Sequence, residues 1–298
     1  MTGAMILFGS SLFFLYALPP AGPGSARGLG WARPLLLASG ATILVAAVLG
    51  LLAQTIVLAG SVHDGLQPDA LGAAVTGMSF GKSSLARVVT AGLFMGAFLL
   101  TKPGRPGWWT AAIAGGAICA SFAWMGHGAA TKGAVGLLHL SSDIAHTLAA
   151  SIWIGALVVF LILLATDRRQ AGANRQALHR ALHGFSGLGS ALVAVLLATG
   201  LVNSWFVFGL AGVSRLWTSA YGQLLTLKLA LFAVMLGLAA ANRFHLTPRL
   251  GAALGRPTTA GDAVAALRKS LAWETGISIA VLGLVAWFGT LAPPSVSQ

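Results

Sequence analysis

Residues 138–157 read LHLSSDIAHTLAASIWIGAL and decide the fold, because they are apolar enough to cross a membrane yet carry three ionisable side chains. At ~100° per residue, His139, Asp143 and His146 fall within ~60° of one helix face and rise along it in steps of ~6 Å and ~4.5 Å. A charged group in the hydrocarbon core costs ~2.5 kcal/mol or more, so such residues usually face a protein interior and serve a function. We call these three residues the stripe. Its imidazole and carboxylate groups can bind a metal ion or pass a proton. The plainer alternative is a row of polar residues that only packs a helix interface.

The composition places the whole chain in a membrane. Of its 298 residues, 57% are hydrophobic and 8% are charged, whereas a soluble domain carries about 25% charged residues. The net charge of +12 resides mostly in short loops between apolar runs, where it acts as a topology signal rather than a nucleic-acid surface. We therefore expect an all-α polytopic membrane protein, with residues 1–298 forming a single transmembrane domain surrounded by lipid and no nucleic-acid partner.

Eight apolar runs predict a bundle of eight transmembrane helices. The first run has no Lys or Arg before Arg27, so it lacks the positive start of a signal peptide and is interpreted as a retained helix. The single Cys119 lies inside an apolar run, where a small buried hydrophobe is the ordinary interpretation. The predicted spans are residues 5–18, 34–59, 84–101, 108–124, 136–165, 185–209, 221–244 and 271–291.

The distribution of basic residues predicts the orientation. The loops after the first, third, fifth and seventh spans hold thirteen Lys and Arg residues, and the alternate loops and span edges hold four. By the positive-inside rule the former are cytoplasmic, so both termini face outward. His63, His127 and His139 then lie at the outer face, with His146 ~15 Å inward from the outer end of the fifth span.

The outer histidines have companions that suit copper. Met125 and His127 end the fourth span, and a short Gly-rich loop leads from them to the stripe. Thioether favours Cu(I), imidazole accepts both oxidation states and carboxylate tolerates Cu(II), whereas zinc has little use for methionine. The plainer alternatives are a helix-capping histidine, a loop histidine and a packed methionine. The predicted copper ligands are His63, Met125, His127, His139, Asp143 and His146.

Two further charges lie inside predicted spans. Lys228 lies at a depth similar to that of Asp143, so we expect the two to pair; unchanged folding and transport in Lys228→Met would argue against it. Glu274 lies ~1 turn into the eighth span, and Arg243 at the inner end of the seventh is its expected partner. A charge pair that joins two helices is the simpler interpretation of Glu274, and a gate or proton carrier is the other.

Several stretches resemble the copper resistance D (CopD) family of bacterial inner-membrane proteins. The resemblance runs in order from the third span to the C-terminus, while the first two spans match only in hydropathy. The stretches that carry it are TGMSFGKSSLARV (76–88), MGHGAA (125–130), HLSSDIAHTLAASIWIGAL (139–157), FSGLGSALVAVLLATGLVNSW (185–205), YGQLLTLKLALFAVMLGLAAANRFHLTP (221–248) and RKSLAWETGISIAVLGLVAWFGTLAP (268–293).

The resemblance implies eight transmembrane helices and inward movement of copper from the periplasm, often beside a CopC-like periplasmic copper-binding protein, here expected as a separate chain. It points to His127, His139 and His146 with the neighbourhood of Met125. It also points to family positions without an assigned role, which are Arg87, Lys228, Asn242, Arg243 and Glu274. No GxxxxGK[ST] motif is present, so we expect transport down a gradient or coupled to protons.

Two alternatives remain open. A b-type membrane cytochrome would take axial haem ligands from His127, His139 and His146, although these lie on the outer half of the bundle. A Soret band in the purified protein would favour it. The other is an assembly factor that delivers copper to an oxidase. An enzyme is not expected, because no HExxH motif occurs.

Overall fold

The computed structural model describes residues 1–17, 30–101, 104–125, 133–166, 173–209, 215–254 and 257–289, which form helices and short turns. The prediction of an all-α protein is confirmed, since no residue in these ranges lies in a β-strand. The chain divides into two compact units, residues 1–155 and residues 156–298, and the division falls inside the seventh helix.

The N-terminal unit is built on four packed helices, in which α1 contacts α2 and α6, and α5 contacts α2 and α6. An aromatic cluster lines this packing, with Phe14 5.1 Å from Trp108 and 5.6 Å from Trp31 between ring centres. Its elements are α1 (Thr2–Ala17), α2 (Ala32–Ala59), α3 (Val62–Gly65), α4 (Pro68–Gly77), α5 (Ser79–Leu100), α6 (Arg105–Ser121), a 3₁₀ turn (Phe122–Met125) and the first part of α7 (Gly133–Thr166).

In the C-terminal unit the long helices pack against one another, and one of them is followed by a π-helical turn, which is wider than an α-helical turn. Its α10 packs against α12, and α11 packs against both α12 and α8. The remainder of α7 contacts α8 through the rings of Phe160 and Phe185, which meet edge-on at 5.7 Å. Its further elements are α8 (Ala173–Phe208), α9 (Arg215–Thr218), α10 (Ala220–Ala241), a π-helical turn (Asn242–Leu246), α11 (Thr247–Ala253) and α12 (Pro257–Phe288).

Six helices among the described residues are long and apolar enough to cross a membrane. They are Ala32–Ala59, Ser79–Leu100, Gly133–Ala165, Leu178–Val207, Ala220–Ala253 and Ala260–Trp287. The two other predicted spans correspond to α1, with 16 residues, and α6, with 17 residues, which are shorter than these six. A multi-pass membrane protein is therefore established, and the count of eight remains a prediction.

The outward faces of these helices are apolar, which is what lipid contact requires. Leu93 is 70% exposed, Leu100 90% and Leu201 73%. In water, apolar faces of this extent would mark interaction or aggregation surfaces. In a bilayer these faces contact lipid acyl chains. Because lipid is itself apolar, no hydrophobic driving force brings the helices together, and they associate through close packing and polar contacts.

Two short helices occupy the connection that follows α2, a segment interpreted from sequence as a loop. Gly60 ends α2 with φ of 78°, a left-handed conformation that glycine adopts without strain. Ser61 then caps α3, its hydroxyl accepting the Asp64 N–H at 3.0 Å. Pro68 opens α4, where its missing N–H costs nothing. This segment places His63 on an ordered helix.

Candidate functional site

The three ionisable residues of α7, His139, Asp143 and His146, are buried or half-buried. His139 is 5% exposed and Trp153, two heptads further along the helix, is also 5% exposed. Asp143 and His146 lie between them and are half-buried. Leu137, on the other side of the helix, is 66% exposed. The burial pattern thus agrees with the predicted direction of this face.

The stripe does not form a complete metal site by itself. Among the residues that the structure describes, no group of three or more His, Cys, Asp or Glu side chains is arranged to hold a metal ion. Helical geometry explains this, because ligands rising ~6 Å and then ~4.5 Å along one straight helix cannot all reach an ion bound at about 2 Å. Any site that includes His139 or His146 therefore needs ligands from other segments.

The predicted outer cluster lies mostly where the structure gives no side chains. His127 is outside the described residues, and Met125 ends the 3₁₀ turn with its side chain undescribed. His63 is exposed on α3, and its ring Nε2 lies 3.2 Å from the Gln67 side-chain nitrogen. Convergence of these three residues on the α7 stripe stays a prediction.

Further along α7 in the N-terminal unit, buried polar side chains make contacts that were not predicted from the sequence. The Ser151 hydroxyl donates to the Thr147 carbonyl at 2.6 Å and lies 3.4 Å from the Cys119 sulfur. Ser10 of α1 donates to the Gly155 carbonyl at 3.4 Å. Ser10, Cys119 and Ser151 are each 0% exposed. Serines inside apolar runs were the available signal, since a buried hydroxyl must find a partner.

Arg87 links α5 to the turn that leads toward His127. The Arg87 side chain is 6% exposed, and its Nε donates to the Ser83 carbonyl at 2.9 Å. Its guanidinium carbon lies 4.5 Å from the centre of the Phe122 ring, a cation–π geometry. Arg87, a family position without an assigned role at the sequence level, therefore contacts the 3₁₀ turn Phe122–Met125.

The other predicted charge pairs concern the C-terminal unit. Lys228 is half-buried on α10, whereas Asp143 belongs to the N-terminal unit, and their pairing stays a prediction. Glu274 is 2% exposed, and its carboxylate accepts a hydrogen bond from the side-chain amide of Asn242 at 2.9 Å.

Arg243 takes a different direction from the one expected. It is exposed, and its guanidinium donates to the Ser186 carbonyl at 3.1 Å and to the Ser190 hydroxyl. It also lies 5.2 Å from the ring centre of Phe244. One residue corresponds to a rotation of ~100° around a helix, so Asn242 faces α12 while Arg243 faces α8. The residue described as donating a hydrogen bond to Glu274 is thus Asn242, which directly precedes the expected partner, Arg243.

Long apolar helices with buried ionisable side chains on α5, α7 and α12 define a multi-pass membrane protein with a polar interior. Two family descriptions match this sequence: "Copper resistance protein D-like, N-terminal domain" over residues 1–137 and "Copper resistance protein D" over residues 179–288. The chain belongs to the copper resistance protein D family. The match to residues 1–137 shows that the first two spans share more than hydropathy with it.

Three relatives illustrate the extent of the similarity. Copper resistance protein D of Pseudomonas syringae pv. tomato is 37% identical over 295 residues, which cover 98% of this chain and 94% of that relative. Copper transport protein CutJ of Bacillus subtilis (strain 168) is 32% identical over 191 residues, 63% of this chain and 31% of its own length. Inner membrane protein YebZ of Escherichia coli (strain K12) is 31% identical over 128 residues, 43% of this chain and 42% of its own length. No solved structure shows significant similarity.

Proposed function

We propose that this protein binds copper and carries it across the bacterial inner membrane from the periplasmic side. The single observation that carries the proposal is the inward stripe of α7, with His139 buried and His146 half-buried two turns further on. The names of two relatives, a copper resistance protein and a copper transport protein, support copper as the substrate. The name of a third relative supports the inner membrane as the location.

The ligand chemistry favours stepwise transfer over storage. Imidazole binds copper in both oxidation states, and thioether favours Cu(I). His139 and His146 are separated by ~10 Å along α7, so one ion cannot bind both at once. In the proposal, copper first binds among Met125, His127 and His139, with His63 nearby, and then moves to His146. Asp143, between the two histidines, orients their rings or joins the ligand set.

The proposal includes eight membrane crossings with both termini outside. The 16 residues of α1 extend ~24 Å, and a bilayer accommodates a shortfall of a few ångströms by thinning. The 17 residues of α6 extend ~26 Å, and the 3₁₀ turn that follows lengthens this segment. Reporter fusions active only in the cytoplasm, placed in each loop, test the topology; activity after spans two, four or six would contradict it.

The central test is copper binding and uptake in lipid vesicles that contain purified protein. We expect His139→Ala and His146→Ala each to reduce copper affinity ~10-fold or more, the usual scale for disturbing a metal site, and to reduce uptake accordingly. His245→Ala and Ser141→Ala are the controls, because both side chains are exposed and Ser141 lies on the opposite face of α7. Bound copper and uptake equal to wild type in both stripe variants would refute the proposal.

The remaining assignments follow from this one. A transporter without enzymatic activity needs no resident cofactor, and a separate CopC-like protein in the periplasm would be a suitable donor of copper. The alternatives, a b-type cytochrome and a copper-delivery assembly factor, have distinct outcomes. A Soret band in the purified protein would favour haem, and copper binding without uptake into vesicles would favour delivery to another protein.

A further inference from the structure

Asn242 and Glu274 form a buried pair whose hydrogen bonding is incomplete as described. Glu274 is 2% exposed and Asn242 is 7% exposed, and the Asn242 Nδ2 donates to Glu274 Oε2 at 2.9 Å. The Oδ1 of Asn242 is also buried, and no described residue donates a hydrogen bond to it. A buried acceptor without a donor costs ~1–3 kcal/mol, so such an atom in a native structure needs an explanation.

A proton on the carboxyl group explains both observations. An ionised carboxylate has acceptors only, so it would present lone pairs to the amide oxygen, whereas a protonated carboxyl group has one O–H donor. An amide and a carboxylic acid are then complementary. We propose that Glu274 and Asn242 form a proton-binding site, in which the Glu274 carboxyl donates its proton to Asn242 Oδ1 while accepting from Nδ2.

The position of the pair gives the proton a structural effect. Asn242 is the first residue of the π-helical turn, and the Thr247 N–H bonds back to its carbonyl. Turns of this kind are often found at functional sites. On α12, Ser278 is buried one turn beyond Glu274 and donates to its backbone carbonyl at 2.8 Å and to the Met235 sulfur at 3.4 Å. The bound proton thus joins α10 to α12 at the widened turn, and its release to water leaves a carboxylate that repels Oδ1.

Several charged and titratable side chains lie on the pair's own elements and on those packed against them. Arg243, the closest in sequence, donates to α8. Lys228 is fourteen residues before Asn242 along α10, a distance of ~21 Å. The charged and titratable residues on the packed elements are Tyr221, Lys228, Arg243, His245, Arg249, Asp262, Arg268 and Lys269, with Arg175, His179, Arg180 and His183 on α8.

The sequence provides a clean probe, because Glu274 is the only glutamate in the chain. Protein labelled with ¹³C at the glutamate carboxyl carbon and reconstituted in lipid vesicles gives one infrared carboxyl signal. At neutral pH and without copper, we expect the carbonyl band of a protonated acid in wild type and its loss in Glu274→Gln. The carboxylate bands alone, at neutral pH in correctly folded wild type, would overturn the proposal.

A second variant tests the partner. Asn242→Leu removes the acceptor and donor, so the acid band should shift toward that of an acid without hydrogen bonds, or convert to carboxylate. Asn203→Leu on α8 is the matched control and should leave the band unchanged. An unchanged band in Asn242→Leu would contradict the pairing. The infrared measurement contains no copper. Its failure would therefore leave the proposed copper transport unaffected, and a failure of copper transport would leave the proton-binding site unaffected.

Discussion

Gly9 of α1 and Gly155 of α7 cross backbone to backbone in the N-terminal unit. A Cβ atom built on Gly9 would overlap the Ser151 carbonyl, and one built on Gly155 would overlap the backbone of Gly9 and Ser10. Small residues let membrane helices approach this closely, because packing replaces the hydrophobic effect within lipid. The crossing lies beside the Ser10 hydroxyl, which donates to the Gly155 carbonyl. It holds the helix that carries the histidine stripe.

We predict that Gly9→Ala and Gly155→Ala each destabilise the protein by about 1–3 kcal/mol, the usual cost of overpacking. Gly92→Ala is the control, because a Cβ at Gly92 of α5 meets nothing within 4 Å. Unfolding by denaturing detergent in mixed micelles measures the free energies. Variants at the crossing that are as stable as Gly92→Ala would show that α1 and α7 are not in this contact.

The contact between Arg87 and Phe122 should appear as a coupling energy. A double-mutant cycle with Arg87→Met, Phe122→Leu and the double variant isolates the pairwise term. We expect a coupling of about 0.5–2 kcal/mol in the free energy of unfolding, the range for a cation–π contact out of water. Arg105, exposed at the start of α6, gives the control cycle Arg105→Met with Phe122→Leu, which should be additive. Additivity in both cycles would remove Arg87 from this role.

Arg33 of α2 caps the C-terminal end of α5. Its guanidinium donates to the carbonyls of Thr101 at 3.0 Å, Phe98 at 3.1 Å and Leu99 at 3.0 Å. The last carbonyls of a helix have no partner within it and carry partial negative charge, so a cation there is favourable. We predict that Arg33→Met lowers the free energy of unfolding by about 1–3 kcal/mol. The same thermal stability in Arg33→Met and Arg105→Met would contradict the capping role.

The helices were predictable where hydropathy is continuous. The run at residues 34–59 corresponds to α2 at Ala32–Ala59, and the run at 136–165 corresponds to α7 at Gly133–Thr166. Helix starts were missed where the helix is polar. Residues 185–209 were expected for a helix that begins at Ala173, and residues 271–291 for one that begins at Pro257. Hydropathy identifies only the part of a helix that contacts lipid. The backbone hydrogen bonding of the helix also extends through the preceding polar segments, which are rich in Arg and Ala, so the predicted starts were too late.

The burial of His139 was predictable, because three ionisable groups at helical spacing are too costly to place in lipid. The partners of buried charges were not. Opposite charges favour Arg243 as the partner of Glu274, yet the described donor is Asn242, whose side chain carries no charge. Likewise, nothing in the sequence indicates that Gly9 meets Gly155, since helix pairing depends on the arrangement of the whole bundle. The spacing of residues along a helix identifies its polar face, whereas the packing of the whole bundle determines which residues that face contacts.

The proposed copper transport depends on copper binding to the imidazoles of α7. X-ray absorption at the copper edge, on protein loaded with one equivalent of copper in lipid, measures this most directly. We predict the multiple-scattering pattern of imidazole in wild type and in Ser141→Ala, and a clear reduction when His139→Ala and His146→Ala are combined. A wild-type spectrum without imidazole, or one unchanged in the double variant, would contradict the account.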